Sequence, residues 1–265
     1  MKMLQFKHVV VDDDNPLNPH CKTAGDIDGD GHPDVLAASA SDGGLYWYRY
    51  PDWTKHKIAD GTFTTDMKVA DLDGDGHQDV IIPMKDALLY YRNPISTGGD
   101  PATDPWMPIQ IGAVGAHDIR VCDIDNSGVL DLVTRQQSGF KHLEGNCIRL
   151  WKQITPTQWE HRAFDCPHGE GLQVADIDGD GFADVIIGGR WYRNPGGDIH
   201  GNWTEHLYMS ESHFETNWTD GDTVAEVGDF NADGRPEIIL SPSEGSGILA
   251  WYEASEDPTK PNWTE

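Results

Sequence analysis

One stretch of this chain occurs five times, and no other feature constrains the fold so strongly. It begins at Asp26 (DIDGDGHPDV), Asp71 (DLDGDGHQDV), Asp123 (DIDNSGVLDL), Asp176 (DIDGDGFADV) and Asp229 (DFNADGRPEI), at spacings of 45, 52, 53 and 53 residues. Two further motifs keep the same period. An aromatic segment follows each acidic stretch (LYWYRYP, LLYYRNP, IRLWKQI, RWYRNPG, LAWYEAS), and a W-T-x-H segment precedes the next (DWTKHKI, PWMPIQI, QWEHRAF, NWTEHLY). Each unit therefore predicts four short strands, which at this period is the signature of a propeller blade. The expected fold is all-β: a five-bladed β-propeller of four-stranded antiparallel blades. It forms a single domain over residues 1–265, its blades entered near residues 20, 65, 117, 170 and 223. LQFKHVVV at the N-terminus reads as a W-T-x-H strand without its blade. Residues 5–11, with Phe6–Val11 as the strand, are expected to complete the last blade and close the ring, which removes free sheet edges.

The 265 residues suffice for a substantial core. No apolar run is long enough to span a membrane. MKMLQFKHVV is too short and too charged for a signal peptide, so a secreted or periplasmic protein whose signal has been removed is expected. With 45 acids against 19 bases the formal charge is −26, which repels nucleic acid and suits a cation-loaded protein.

The spacing D-x-D-x-D-G-x-x-D sets oxygen ligands at positions 1, 3, 5 and 9 of a tight loop, with a glycine at position 6. Such a hard-oxygen set suits Ca²⁺. An EF-hand would need a bidentate Glu at position 12, where this chain has Ala37, Ile82, Thr134, Ile187 and Leu240. The expected ligands, for up to five structural Ca²⁺ ions, are Asp26, Asp28, Asp30 and Asp34; Asp71, Asp73, Asp75 and Asp79; Asp123, Asp125, Ser127 and Asp131; Asp176, Asp178, Asp180 and Asp184; and Asp229, Asn231, Asp233 and Glu237. Here the chain resembles the FG-GAP or VCBS repeat family, in which calcium loops sit at the hairpin between a blade's first two strands. The resemblance covers all five units.

A repeated loop reads as scaffold, so function is expected where the blades differ. Counting back from each first Asp, one set of inner-strand residues (Thr23, Lys68, Arg120, Gln173, Glu226) should face the central channel, joined by Cys21, Asp66 and Asp118, and by Cys122 one residue before its Asp. The mouth above carries His20, Thr65, His117, Glu170 and Thr223 at one aligned position, with His168, Asp220 and Asp222 nearby. The hairpins between second and third strands add Lys85, Asp86, Arg135, Lys141, His142, Arg190 and Glu244. A single site mixing His, carboxylates and cations suits catalysis better than a repeated lectin site. The candidate catalytic residues are His20, Asp66, Lys68, His117, Asp118, Arg120, His168, Glu170 and Glu226. A further divalent metal at the mouth is expected on His20, His117 and Glu170 or His168. The His of W-T-x-H (His8, His56, His161, His206) repeats and reads as packing. Folding the hairpin about Pro156–Thr157 sets Cys147 opposite Cys166, within disulfide range.

Within the family, the three motifs together resemble the propeller part of fungal aldos-2-ulose dehydratase and related sugar lyases. That resemblance implies β-elimination on a sugar or uronate, with His20, His117 and His168 as bases or ligands, Lys68 and Arg120 offsetting developing negative charge and Asp66, Asp118 and Glu170 orienting them. Carbohydrate is the expected ligand or substrate, and a monomer the expected state. The alternative is a non-catalytic carbohydrate-binding or adhesion module, as FG-GAP repeats serve in integrin heads. A glycoside hydrolase comes third, on fold analogy.

Overall fold

The computed structural model describes residues 6–14, 16, 18–137, 146–166, 169–210, 212–213, 223–243 and 247–265. It is a five-bladed β-propeller. The first blade comprises β1 (Pro19–Gly25), β2 (Asp34–Ser39), β3 (Leu45–Arg49) and β4 (Thr54–Ala59). The second comprises β5 (Lys68–Ala70), β6 (Asp79–Met84), β7 (Ala87–Arg92) and β8 (Met107–Gly112). The third comprises β9 (Asp118–Cys122), β10 (Asp131–Gln136), β11 (Cys147–Thr155) and β12 (Gln158–Asp165). The fourth comprises β13 (Gln173–Ala175), β14 (Asp184–Ile187), β15 (Arg190–Arg193) and β16 (Thr204–Leu207). In the fifth, β17 (Thr223–Gly228), β18 (Glu237–Pro242) and β19 (Ala250–Tyr252) form a three-stranded sheet. Every sheet is an antiparallel meander, and the first strands of successive blades pack on one another. No helix among the described residues is long and apolar enough to cross a membrane.

Strand alternation divides each blade's apolar residues between its two sides, and four hydrophobic clusters result. One fills each junction from the first blade through to the fifth. The recurring His of the fourth strand stacks on the third-strand Trp beside it: His56 on Trp47 at 4.6 Å, His161 on Trp151 at 4.8 Å, His206 on Trp191 at 4.7 Å. Burial depresses the pKa of His161 and His206, as befits packing residues. His8 lies outside any strand.

Two expectations about pairing need correction. Phe6–Val10 form no strand, and Phe6 and Val10 are exposed. The N-terminal segment instead lies against the first blade, where the Tyr48 hydroxyl donates to Asp12 (2.7 Å) and Lys55 pairs with it (2.8 Å). The fourth-strand place of the last blade is begun by Thr264, bridged to Glu253 as Thr204 is to Arg193. The second correction concerns Cys147 and Cys166, which no disulfide joins. In the third blade the Trp stands one place later than in the first and fourth. A bulge at Ile154 brings His161 opposite Trp151 and thereby shifts the hairpin register by one, so Cys147 faces Asp165.

Candidate functional site

The acidic loops share one geometry. At position 6, Gly31, Gly76, Gly128, Gly181 and Gly234 all have φ between 84 and 92°, a left-handed turn that a side chain would strain. The first Asp of each loop accepts the backbone N–H groups of positions 5 and 6, for example Asp75 N (2.9 Å) and Gly76 N (2.9 Å) on Asp71. The ninth residue is buried and ties the loop to the end of the third strand. Asp184 accepts from Ile177 N (2.9 Å) with one oxygen and from Asn194 N (2.8 Å) with the other. Asp34, Asp79 and Asp131 repeat both bonds. In the fifth blade Glu237 accepts from Phe230 N (2.8 Å).

In each loop three carboxylates bring one oxygen apiece within 4.8 Å of the others: Asp26, Asp28 and Asp34; Asp71, Asp73 and Asp75; Asp123, Asp125 and Asp131; Asp176, Asp178 and Asp184; Asp229, Asp233 and Glu237. Twice a calcium–oxygen bond of about 2.4 Å spans that separation, so the donor sets fit a hard divalent cation. Asp30, Asp79 and Asp180 stand outside these triplets. Burial, reinforced by neighbouring carboxylates, pushes Asp79 and Asp184 up to about 7 and Asp131 to about 6, a cost that a cation would relieve.

The aromatic motif contributes more than filler. Its basic residue pairs with the loop's third position: Arg49 with Asp28 (2.6 Å), Arg92 with Asp73 (2.6 Å), Lys152 with Asp125, Arg193 with Asp178 (2.5 Å). In the fifth blade both partners change together, to Asn231 and Glu253. The residue after the basic one reaches across the junction. Asn93 donates to Ile27 O (2.9 Å), Gln153 to Leu72 O (2.8 Å) and Asn194 to Ile124 O (2.9 Å), each in the preceding blade. These roles were missed, although the recurring K/R followed by N/Q in LLYYRNP, IRLWKQI and RWYRNPG was the available signal.

A hydrogen-bonded chain crosses four inner strands. Lys68 Nζ and Arg120 Nη1 share the Asp66 carboxylate (2.5 and 3.3 Å), Arg120 Nε donates to Gln173 (2.9 Å), and Gln173 donates to Glu226 (2.8 Å). A second chain runs through the aligned mouth position. Thr65 donates to the His117 carbonyl (2.5 Å), His117 Nε2 lies 3.6 Å from Glu170, and Glu170 N donates to Thr223 O (2.7 Å). His117 Nδ1 lies 3.1 Å from Asp118. Burial opposes protonation of this imidazole, but Asp118 and Glu170 outweigh it and raise its pKa above the usual value. Arg135 is wholly buried, donates to Gly169 O with Nη1, and leaves Nε and Nη2 without partners.

Other expected members fall elsewhere. His20 is exposed on a β-bulge and joins neither chain. His20, His117 and Glu170 do not converge as a cation site; among the described residues only the acidic loops do. The thiols of Cys21 and Cys122, expected on the channel wall, pack between blades, and burial raises both to about 12. Arg190 turns to Glu205 (2.8 Å) on β16. Lys141, His142, His168, Asp220, Asp222 and Glu244 lie outside the described residues. Beside His117, between the second and third blades, a cleft of about 300 Å³ is lined by Thr64, Thr65, Lys85, His117, Gln136 and Gln137. The Gln137 side-chain oxygen is buried there and accepts from nothing.

Comparison with known proteins agrees with this architecture. A family model described as FG-GAP-like repeat matches residues 26–82, and one described as FG-GAP repeat matches residues 168–200. No protein with a curated description matches by sequence. Among solved structures, an Agrocybe aegerita lectin that recognises non-reducing terminal N-acetylglucosamine aligns with a TM-score of 0.58 at 18% identity, covering 94% of this chain and 65% of the lectin. The rhamnogalacturonan lyase YesW aligns at 0.56 and 15% identity, covering 93% and 50%. The V. cholerae biofilm matrix protein Bap1 aligns at 0.50 and 16%, covering 90% and 38%. The chain thus spans between about a third and two thirds of the length of these structures, and at such identities they speak for the fold.

Proposed function

We propose that this chain, a β-propeller of FG-GAP repeats, binds carbohydrate in the cleft beside His117 and is stiffened by Ca²⁺ in its acidic loops. The observation that carries this reading is the set of side chains converging on that cleft. Gln137 brings an acceptor with no partner, and Gln136, Thr65 and Lys85 stand around it. A buried polar atom left unpaired costs free energy, and a rotamer change that turns it into the cleft would let a hydroxyl-rich ligand satisfy it. Lys85 offers a cation to a ligand with acidic groups, such as a uronate. The two inner chains support recognition over chemistry: Asp66 engages Lys68 and Arg120, and both nitrogens of His117 face carboxylates, which makes it a poor base near neutrality.

The second reading is a sugar lyase. It is favoured by the buried Glu170 beside His117, a pair able to hold and deliver a proton to a leaving group. Each acidic triplet would hold Ca²⁺ as a clamp between the first two strands, remote from the reaction. Calorimetric titration with neutral and acidic oligosaccharides separates the readings. Saturable binding that is weakened about tenfold by Gln137→Ala, with no product formed, is the expected result. Appearance of an unsaturated sugar product, lost in Glu170→Gln, would replace it with the lyase.

A further inference from the structure

The side of the fifth blade that faces away from the fourth is built like a junction but is uncovered. At one third-strand position Trp47, Tyr90, Leu150 and Trp191 are fully buried against the following blade, whereas Trp251 is 46% exposed. At the second residue of the acidic loop Ile27, Leu72, Ile124 and Ile177 are at most 4% exposed; Phe230 is 51% exposed. Two residues before that third-strand position, Leu45, Leu88 and Ile148 are fully buried, and Leu249 is 75% exposed. Ile239, at the place of the fully buried Leu36, Ile81 and Ile186, is only partly covered. Isolated exposed apolar residues are ordinary, but three exposed and one half-buried at the repeat's own junction positions mark one face.

The first blade of the same molecule does not match this patch. Its corresponding side carries exposed Lys22 and Ala24, where later blades bury Met67, Ile119 and Leu172. That side is also occupied by Asp12, which holds Tyr48 and Lys55. A second copy of the chain would offer the same polar side. We infer that the open flank of the fifth blade docks a further β-sheet of the same repeat type. Such a sheet presents Met or Ile and Val on its first strand and Val, Ile and Tyr on its next two, as the second blade does with Met67, Val69, Val80, Ile82 and Tyr91. The interface continues the four already present, in the same ring sense.

The test is the chain extended after Glu265 by a second copy of residues 56–112, which puts His56 next after Thr264–Glu265 as it follows Thr54–Lys55. The extension is expected to shield Trp251 from acrylamide, read as the difference between the chain and its Trp251→Phe variant, and to raise Tm by about 5 °C or more. In the unextended chain Trp251→Ser should leave Tm within about 2 °C, whereas Trp191→Ser lowers it well beyond that. Three results would overturn the inference. One is a cost of Trp251→Ser as large as that of Trp191→Ser, which would place the first blade on the flank. Another is sedimentation of the unextended chain as a dimer that Trp251→Ser dissociates. The third is a Trp251 that stays quenchable in the extended chain, including where protease clears the added residues.

Discussion

Asn194 shows how one side chain can join two levels of this fold. Its amide donates to Ala183 O (3.0 Å) within its own blade and to Ile124 O (2.9 Å) in the preceding one, while its carbonyl oxygen accepts from Gly197 N (2.7 Å). All three partners would be stranded in Asn194→Ala. A stranded buried group costs about 1–3 kcal/mol, so the variant should lose roughly 2–4 kcal/mol in denaturant unfolding, and Asn194→Asp, which keeps only the acceptor, should not rescue it. His117 offers a residue-scale test of electrostatics. Its folded pKa is raised by Asp118 and Glu170, so the stability it lends is complete below its unfolded value, near 6.5, and is lost as pH rises through the folded value. An NMR titration should therefore place it above 6.5, and Asp118→Asn should bring it down; a midpoint unmoved by that change would remove the pair from the mouth.

At the level of the hairpin, the acidic loop sets protons against cations. The buried carboxyls of Asp79, Asp131 and Asp184 hold their protons in the folded chain up to about pH 7, 6 and 7. In the unfolded chain they release them near 3.8. With the loops cation-free, folding is increasingly penalised as pH climbs between those values, and a bound cation cancels the penalty. A calcium chelator should accordingly lower Tm more at pH 8 than at pH 5. Equal drops would detach the carboxyls from cation binding. The loops, the strands of each blade and the packing role of the fourth-strand His were legible in the sequence because each is local and repeated. Pairings that depend on a neighbouring strand were not. The bulge at Ile154, which separates Cys147 from Cys166, follows from where Trp151 falls opposite His161, and the place of the N-terminal segment follows from Tyr48 and Lys55. At the candidate site, sequence alignment placed His117, Glu170, Thr65 and Thr223 on one rim, and contacts join them. It failed for His20, where a bulge breaks the alternation on which the alignment relied.

For the molecule as a whole, the formal charge of −26 is a destabilising field that acts at every pH where carboxylates are ionised. Basic residues are too few to balance it, and several are already committed inside the loops as partners of the third position. Five divalent ions, one per acidic triplet, would offset about ten of those charges. Monovalent salt can do part of the same work by screening, since the Debye length falls from about 30 Å at 0.01 M to about 10 Å at 0.1 M. The two remedies should compete. In the presence of chelator, Tm should climb steeply as NaCl is raised over that range; with Ca²⁺ saturating, the same salt should change Tm little. Thermal scans at the four corners of that design read the coupling directly. Parallel salt dependences with and without Ca²⁺ would mean that the loops do not take up the ions, and that the repeated aspartates are held by backbone amides and arginines alone.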